Sequence, residues 1–515
     1  MNWQSLILCL LILTQFSCTT NTVNTNFISI KNGKFIDSKN RTIILNGINH
    51  VTKNKETNYI NNNDSILFVN FKKYGFNCIR YGISWAALEP KPNEIDENYL
   101  KEIDKRIKWA KDNNLLLILD MHQDLYSVKY GNGAPEWATL DNGCKHIEGE
   151  IWSDAYIISP AVKTCFDNFW DNKPAKDGIG LQDHYSHVWK VIADRYKNYD
   201  NVIGFDIMNE PFTGSMADSV INNLISGLVR HCTDSANIKA DNINSIFDNT
   251  EERLSLLKIL NNKEIFKDVV NQAQDLIDSF EQKTLSNFYQ KVRDSIRSVN
   301  NRHILFLEHC YFGNMGLKSS FKIPVDSNGN PDSQCAYAPH VYDLNVDTNN
   351  SNTLEGNRLD FIFSQVIASA KERNLPVWLG EWGAFYDINK KYNNVATFHR
   401  DIIENNLMGQ AYWSWWNNIE LQDYFYTCIS RSYPRYICGN LIKYKNTDNM
   451  FVCTWEEDSD DNVSCIYLTD VSNLKESDIN IDPISDYNIK TIENSKGGYL
   501  IIKSINKKRE LTIKY

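Results

Sequence analysis

The chain has 515 residues, 42% of them hydrophobic and 12% aromatic, enough to bury one large core and carry a small second module. Its formal charge of -10 argues against a nucleic-acid partner, because holding phosphates needs a basic face.

Residues 1–20 read as a cleaved secretory signal: an apolar run from Leu6 to Phe16 gives way to the small residues Ser17, Cys18 and Thr19. The run falls short of the roughly 18 apolar residues of a membrane-spanning helix, and no later segment supplies them. A lipid-modified Cys18 is the competing reading, but Gln15 stands where such a site prefers leucine, which favours the plain signal. The expected localisation is secreted, extracellular or a lysosomal-type lumen. Ten cysteines follow, an even number that suits disulfides, with Cys428/Cys438, Cys453/Cys465 and Cys144/Cys165 as local pairs and Cys78 as a buried thiol. There is no Cys-x-x-Cys pair, which disfavours a zinc ribbon. Sequons stand at Asn40, Asn63, Asn349 and Asn462.

Eight strand-like apolar runs come next: 42–48, 78–83, 115–121, 202–208, 303–307, 337–342, 376–381 and 410–415. Between them, segments such as 96–113, 182–199 and 358–374 carry apolar residues at three-to-four spacing, as amphipathic helices do. Strands alternating with helices in this way predict an α/β fold, a parallel (β/α)8 TIM barrel over residues 21–440. Only the connection 311–334 shows no helical pattern. Two connections are oversized, 123–180 and 212–300, and both leave from the C-terminal ends of strands, where they would wall the barrel mouth. Residues 441–515 alternate apolar and polar residues in short runs and predict a small all-β, sandwich-like domain. Its acidic run 456–461 reads as a solvated hairpin tip.

The chemistry concentrates at strand ends. The third run closes on Asp120-Met121-His122-Gln123-Asp124, the fourth on Asn209-Glu210-Pro211, the seventh on Glu381-Trp382-Gly383. Glycosidic cleavage needs one carboxylic acid to protonate the leaving oxygen and one carboxylate to meet the oxocarbenium-like carbon. Glu210 and Glu381 are the candidate pair; a buried structural ion pair is the alternative, weakened by their places on strands four and seven of one barrel.

These motifs resemble the retaining glycosidases of clan A, in particular glycoside hydrolase family 5. With Gly133-Ala134-Pro135-Glu136-Trp137, Pro160-Ala161-Val162, Phe166-Asp167-Asn168-Phe169-Trp170 and Tyr433-Pro434-Arg435 the string resembles its endoglycoceramidase subgroup, over about residues 42–440. The resemblance implies that Glu210 is the acid/base, Glu381 the nucleophile, and that Asn209 binds the sugar 2-hydroxyl. It implies that Tyr342 touches the nucleophile, that Lys53, His122 and Asp124 bind sugar hydroxyls, that Trp413 floors the pyranose ring and that Arg80 braces the nucleophile. Glu308-His309-Cys310 departs from the usual ending of strand five. The implied activity is retaining, endo-acting hydrolysis between oligosaccharide and ceramide in glycosphingolipids, by a monomer in peripheral contact with lipid surfaces or micelles. Neither metal nor other cofactor is expected. A steryl glucoside or galactosylceramide-type substrate is a rival reading, and a catalytically inactive glycolipid-binding barrel a more distant one.

Overall fold

The structure, a computed structural model, describes residues 26–232, 256–348, 350–354, 356–447 and 449–515. The expected signal, Cys18 and the sequon at Asn349 lie outside the described residues.

Eight parallel strands form the barrel: β1 (Asn46–His50), β2 (Cys78–Ile83), β3 (Leu116–Met121), β4 (Val202–Asp206), β5 (Ile304–Leu307), β6 (Cys335–Tyr337, continued by His340–Val341), β7 (Trp378–Leu379, continued by Glu381–Trp382) and β8 (Gly409–Tyr412). Hydrogen bonding runs β7-β8-β1-β2-β3-β4-β5-β6, and a parallel bridge between Tyr337 and Val377 closes the ring. Register sets the interior, since parallel pairing puts Asn49 beside Arg80, Asp120 beside Asp206 and His340 beside Glu381. The predicted helices appear as Glu97–Asp112, capped by the Asp96 carboxylate on the amides of Asn98 and Tyr99, Leu181–Tyr196 and Gly356–Arg373.

The first expected strand is in fact split. Arg41–Ile43 pairs antiparallel with Tyr433–Cys438 in a different sheet, and the barrel strand begins only at Asn46, whose amide donates to Asn77 Oδ1 at 2.8 Å. The strands from Ser29 to Ile43 join Tyr433–Cys438, Val463–Leu468, Gly498–Lys503 and Tyr487–Thr491 in one seven-stranded sheet, packed with a four-stranded sheet around Tyr433, Phe451, Trp455 and Ile513. The β module therefore draws strands from both sides of residue 440. From its far edge Phe35 stacks on Phe306 at 6.1 Å and plugs the barrel floor with Ile28, Ile43 and Leu45.

Connection 311–334 holds a 3-10 turn, Tyr311–Met315, and no α-helix. Its backbone groups are satisfied instead largely by side chains: Glu281 accepts from the amides of Cys310 at 2.8 Å and Phe321 at 3.1 Å and from Ser319 Oγ at 2.7 Å, Gln274 from the Lys318 amide at 2.9 Å and Gln290 from the Val325 amide at 2.8 Å. The described residues of the 212–300 connection include the helices Met216–Cys232, Lys263–Asn271, Gln274–Ser279 and Ser286–Arg297, the last two linked by a π-turn at Phe280–Leu285.

Two expectations need correction. The nine described cysteines with defined side chains are all free thiols. Cys453 and Cys465 lie on different sheets, Cys438 Sγ turns to Asp458 at 3.5 Å and Ser504 at 3.4 Å, and Cys144 neighbours Thr164 at 3.5 Å; most act as small buried packing groups. In the acidic run, Glu457 is buried, not solvated: it accepts from Arg509 Nη1 at 3.1 Å and the Ile505 amide at 2.8 Å.

Candidate active site

Most of the chemistry-bearing residues at the barrel mouth are carried by a strand end or the first turn beyond it, so backbone pairing fixes their origin. At the centre lies Arg80, fully buried on β2. Its guanidinium contacts four carboxylates: Asp206 at 2.8 Å, Asp120 at 3.1 Å, Glu308 at 2.8 Å and Glu381 at 2.6 Å; it also donates to Asn209 Oδ1 at 3.0 Å. Burial disfavours its charge, but the surrounding carboxylates outweigh that and hold the guanidinium pKa well above its ordinary value. Removing the arginine would leave several buried like charges facing one another.

Glu381 is held by Arg80 Nη1 on Oε1 and by the Tyr342 hydroxyl on Oε2 at 2.7 Å. Burial pushes its carboxyl pKa up, while His340 and Arg80 oppose the rise. Glu210 follows β4 with its backbone at φ 43, a left-handed conformation that a non-glycine residue adopts only when its surroundings impose it. Here the imposing contact is its own amide, which donates to Glu308 Oε2 at 2.8 Å. Glu210 Oε1 meets His340 Nδ1 at 3.0 Å and the Asn314 amide at 2.6 Å. His340 Nδ1 is also 3.5 Å from Glu381 Oε2. Burial works against a charged His340, but Glu308, Glu381 and Glu210 prevail and raise its pKa well above the ordinary value. One oxygen of Glu210 and one of Glu381 lie within 4.8 Å of each other. So close an approach favours the geometry with carboxyl groups about 5–5.5 Å apart, in which the second carboxylate attacks directly, over the wider one that admits a water.

The sugar-side residues converge on the same mouth. Lys53 Nζ reaches Asp124 at 2.5 Å and lies 4.8 Å from the Trp413 ring centre. His122 stacks on Trp413 at 5.2 Å and 14°, its Nδ1 held by Asp120 at 2.7 Å. Asn209 Nδ2 donates to the Gln123 carbonyl at 3.0 Å, so one of its two amide hydrogens remains for a ligand. Thus Lys53, His122, Asp124, Asn209, Glu210, Tyr342, Glu381 and Trp413 all line one cavity of about 660 Å³.

Sequence reasoning missed three of the groups that shape this site. Glu308, at a strand end like Glu210, carries the same signal but was set aside as a departure from pattern. His340 lies in the sixth strand run, 337–342, in which only Tyr342 has an expected role. Asn314 lies on the connection with no periodicity to read. The structure also brings Glu210, His340 and Glu381 to metal-ligand spacing, and likewise Asp120, Asp206 and Glu308; Arg80 sits among the second group and satisfies it.

Away from the carboxylates the cavity turns apolar. Ile221, Leu224 and Leu228 of the helix Met216–Cys232, with Leu260, Phe266 and Val270, line its far end. These residues belong to the 212–300 connection, whose part in the site the sequence left open.

Comparisons with known proteins agree with this architecture. An endoglycoceramidase of Hydra vulgaris is 29% identical over 227 residues, covering 37% of this chain and 42% of that protein. Endoglycoceramidase I of Rhodococcus hoagii is 29% identical over 184 residues, covering 35% and 36%. The chain thus matches less than half the length of these curated relatives. The solved structure of endo-glycoceramidase II from Rhodococcus sp. superposes with a TM-score of 0.70 at 23% identity, over 93% of this chain and 98% of that one. The family description "Cellulase (glycosyl hydrolase family 5)" matches residues 36–419, and with the paired carboxylates on β4 and β7 this establishes that the chain belongs to glycosyl hydrolase family 5.

Proposed function

We propose that this hydrolase is a retaining, endo-acting glycosidase that cuts the β-glycosidic bond between an oligosaccharide and ceramide. The observation that carries the reading is the continuity of the cavity: one end presents the carboxylates and sugar-binding groups, the other the apolar helix faces of the long insertion. An amphiphilic substrate cut at the junction of its two halves fits that division.

In the first step Glu381 attacks the anomeric carbon while Glu210 gives its proton to the departing ceramide oxygen. Tyr342 and Arg80 keep the nucleophile aimed. The free Asn209 amide hydrogen holds the sugar 2-hydroxyl, a bond that strengthens as charge builds on the ring. Trp413 floors the ring, and Lys53, His122 and Asp124 hold hydroxyls beside it. In the second step Glu210, now a carboxylate, takes a proton from water, and the water releases the glycan from Glu381 with its β configuration restored.

The apolar chamber supports a lipid aglycone and, with the expected signal, a working place at lipid surfaces outside the cytoplasm. Product mass spectrometry on a mixed glycolipid panel tests the bond: intact oligosaccharide plus ceramide is expected, and sequential release of single terminal sugars overturns the reading. Time-resolved NMR should find the β-anomer first. N-terminal sequencing of protein recovered from the medium tests export.

A further inference from the structure

Asn314 sits in the 3-10 turn Tyr311–Met315, on the barrel connection that lacks an α-helix. Its side-chain amide donates to Glu210 Oε1 at 2.6 Å, and His340 Nδ1 approaches the same oxygen at 3.0 Å. An oxygen that already accepts two hydrogen bonds is the poorer base, so the carboxyl proton resides on its partner, Oε2.

The turn is held by two buried side chains, His309 and Glu281. Gly313 packs directly on His309, where even a Cβ would fall 1.3 Å from the ring nitrogen. The same His309 ring accepts the backbone amide of His340 at 3.0 Å, so both donors to Glu210 Oε1 are referenced to one side chain. Burial lowers the His309 pKa to about 3, which keeps that ring neutral and able to accept. Behind the turn, buried Glu281 gathers the amides of Cys310 and Phe321.

We propose that Asn314 is a positioning residue for the acid/base: it fixes the catalytic proton on Glu210 Oε2, and Glu281 holds the turn that presents it. The proposal rests on the reading of Glu210 as acid/base and gives a task to a buried carboxylate that the reaction itself does not use. Its direction is set by chemistry, because an amide donor favours the charged carboxylate and its loss must raise the carboxyl pKa. Other titratable groups facing Glu210 are His340 from β6, Glu381 from β7 with Tyr342 beside it, and Glu308 from β5 through the Glu210 amide. Tyr311, Tyr156 and Asp347 face it from the surrounding loops. All of these remain in the variants below, so a shift between variants reads Asn314 alone.

The experiment compares pH profiles of kcat/KM for wild type, Asn314→Ala and Asn314→Asp on a glycolipid and on a nitrophenyl glycoside turned over by the wild type. The basic limb should move up by roughly one pH unit in Asn314→Ala. It should move further in Asn314→Asp, which keeps the shape but replaces the donor with a charge. Glycolipid turnover should fall on the order of tenfold while the nitrophenyl glycoside, which needs little protonation, is nearly spared. Glu281→Gln should move the limb in the same direction by less and speed amide hydrogen exchange across residues 310–321. An unmoved basic limb in both Asn314 variants, at unchanged Tm, overturns the proposal and leaves the turn a packing element. Loss of ceramide release in wild type with the nitrophenyl profile intact would instead strike the lipid-substrate reading and leave this one standing.

Discussion

The two ends of the cavity are built by different means. The carboxylate end is assembled from the tips of β1 to β8, where each side chain inherits its position from a hydrogen-bonded strand and from the Arg80 network. The apolar end is assembled from helices of a single long insertion, whose aliphatic side chains present a surface without directional contacts. On the proposed reading, bond chemistry is lodged in the part of the fold that tolerates least displacement, and aglycone choice in the part that can be exchanged most freely.

The sharpest way to break this contrast is Glu381→Gln. It should abolish turnover of every substrate, by at least on the order of 10^4-fold, because no glycosyl-enzyme can form. Residual turnover that varied with the lipid would mean the chemistry is not confined to the strand ends. Next in size, Glu210→Gln should lower glycolipid turnover by about 10^2–10^4-fold and yet form the first intermediate readily from a nitrophenyl glycoside, as burst kinetics would reveal. Equal losses on both substrates would count against its role as acid.

A substitution at the other end should behave differently. Leu224→Asn puts an amide in the apolar chamber and should lower kcat/KM for long-chain glycolipids on the order of tenfold, with a nitrophenyl glycoside unaffected. The pH profile sharpens the carboxylate end further. Glu381 must be ionised to attack, and its burial-raised pKa keeps the proton on to higher pH, so the acidic limb should lie above the ordinary glutamate value of 4.5. The smallest effect concerns the β module and its neighbours: with the described thiols free, reductant should leave Tm unchanged, and thiol titration of the unreduced protein should count at least nine.

The pattern of what could be read from sequence follows the same division. Strand ends announce themselves because an apolar run fixes the strand and an abrupt carboxylate marks its mouth, as at Glu210 and Glu381. Residues 311–334 offer no such signal, since their order comes from distant side chains such as Glu281, Gln274 and Gln290 and not from periodicity; Asn314 is hidden with them. Glu308 was visible but misjudged, because its work is to grip a backbone amide and a guanidinium, which no motif of one strand displays. The run 42–48 looked continuous because Ile44 and Leu45 are as apolar as their neighbours, although the chain changes sheets between them. Evenly numbered cysteines suggested bridges, but burial alone accounts for most of them.

Strand Arg41–Ile43, near the start of the polypeptide, is paired with Tyr433–Cys438, almost 400 residues later. The pair thus buckles the barrel across nearly its whole length, and it can close only once Tyr433–Cys438 has left the ribosome. Until then the segment that carries Phe35 has no strand beside Arg41–Ile43 to hold it under the barrel floor, and closing so long a loop is slow. A chain interrupted near residue 440 should therefore keep this pair and the Phe35 plug but leave Tyr433 and Ile437 without Phe451, Trp455, Ile466 and Ile513, an exposed apolar face that makes it a natural client for chaperones and proteases.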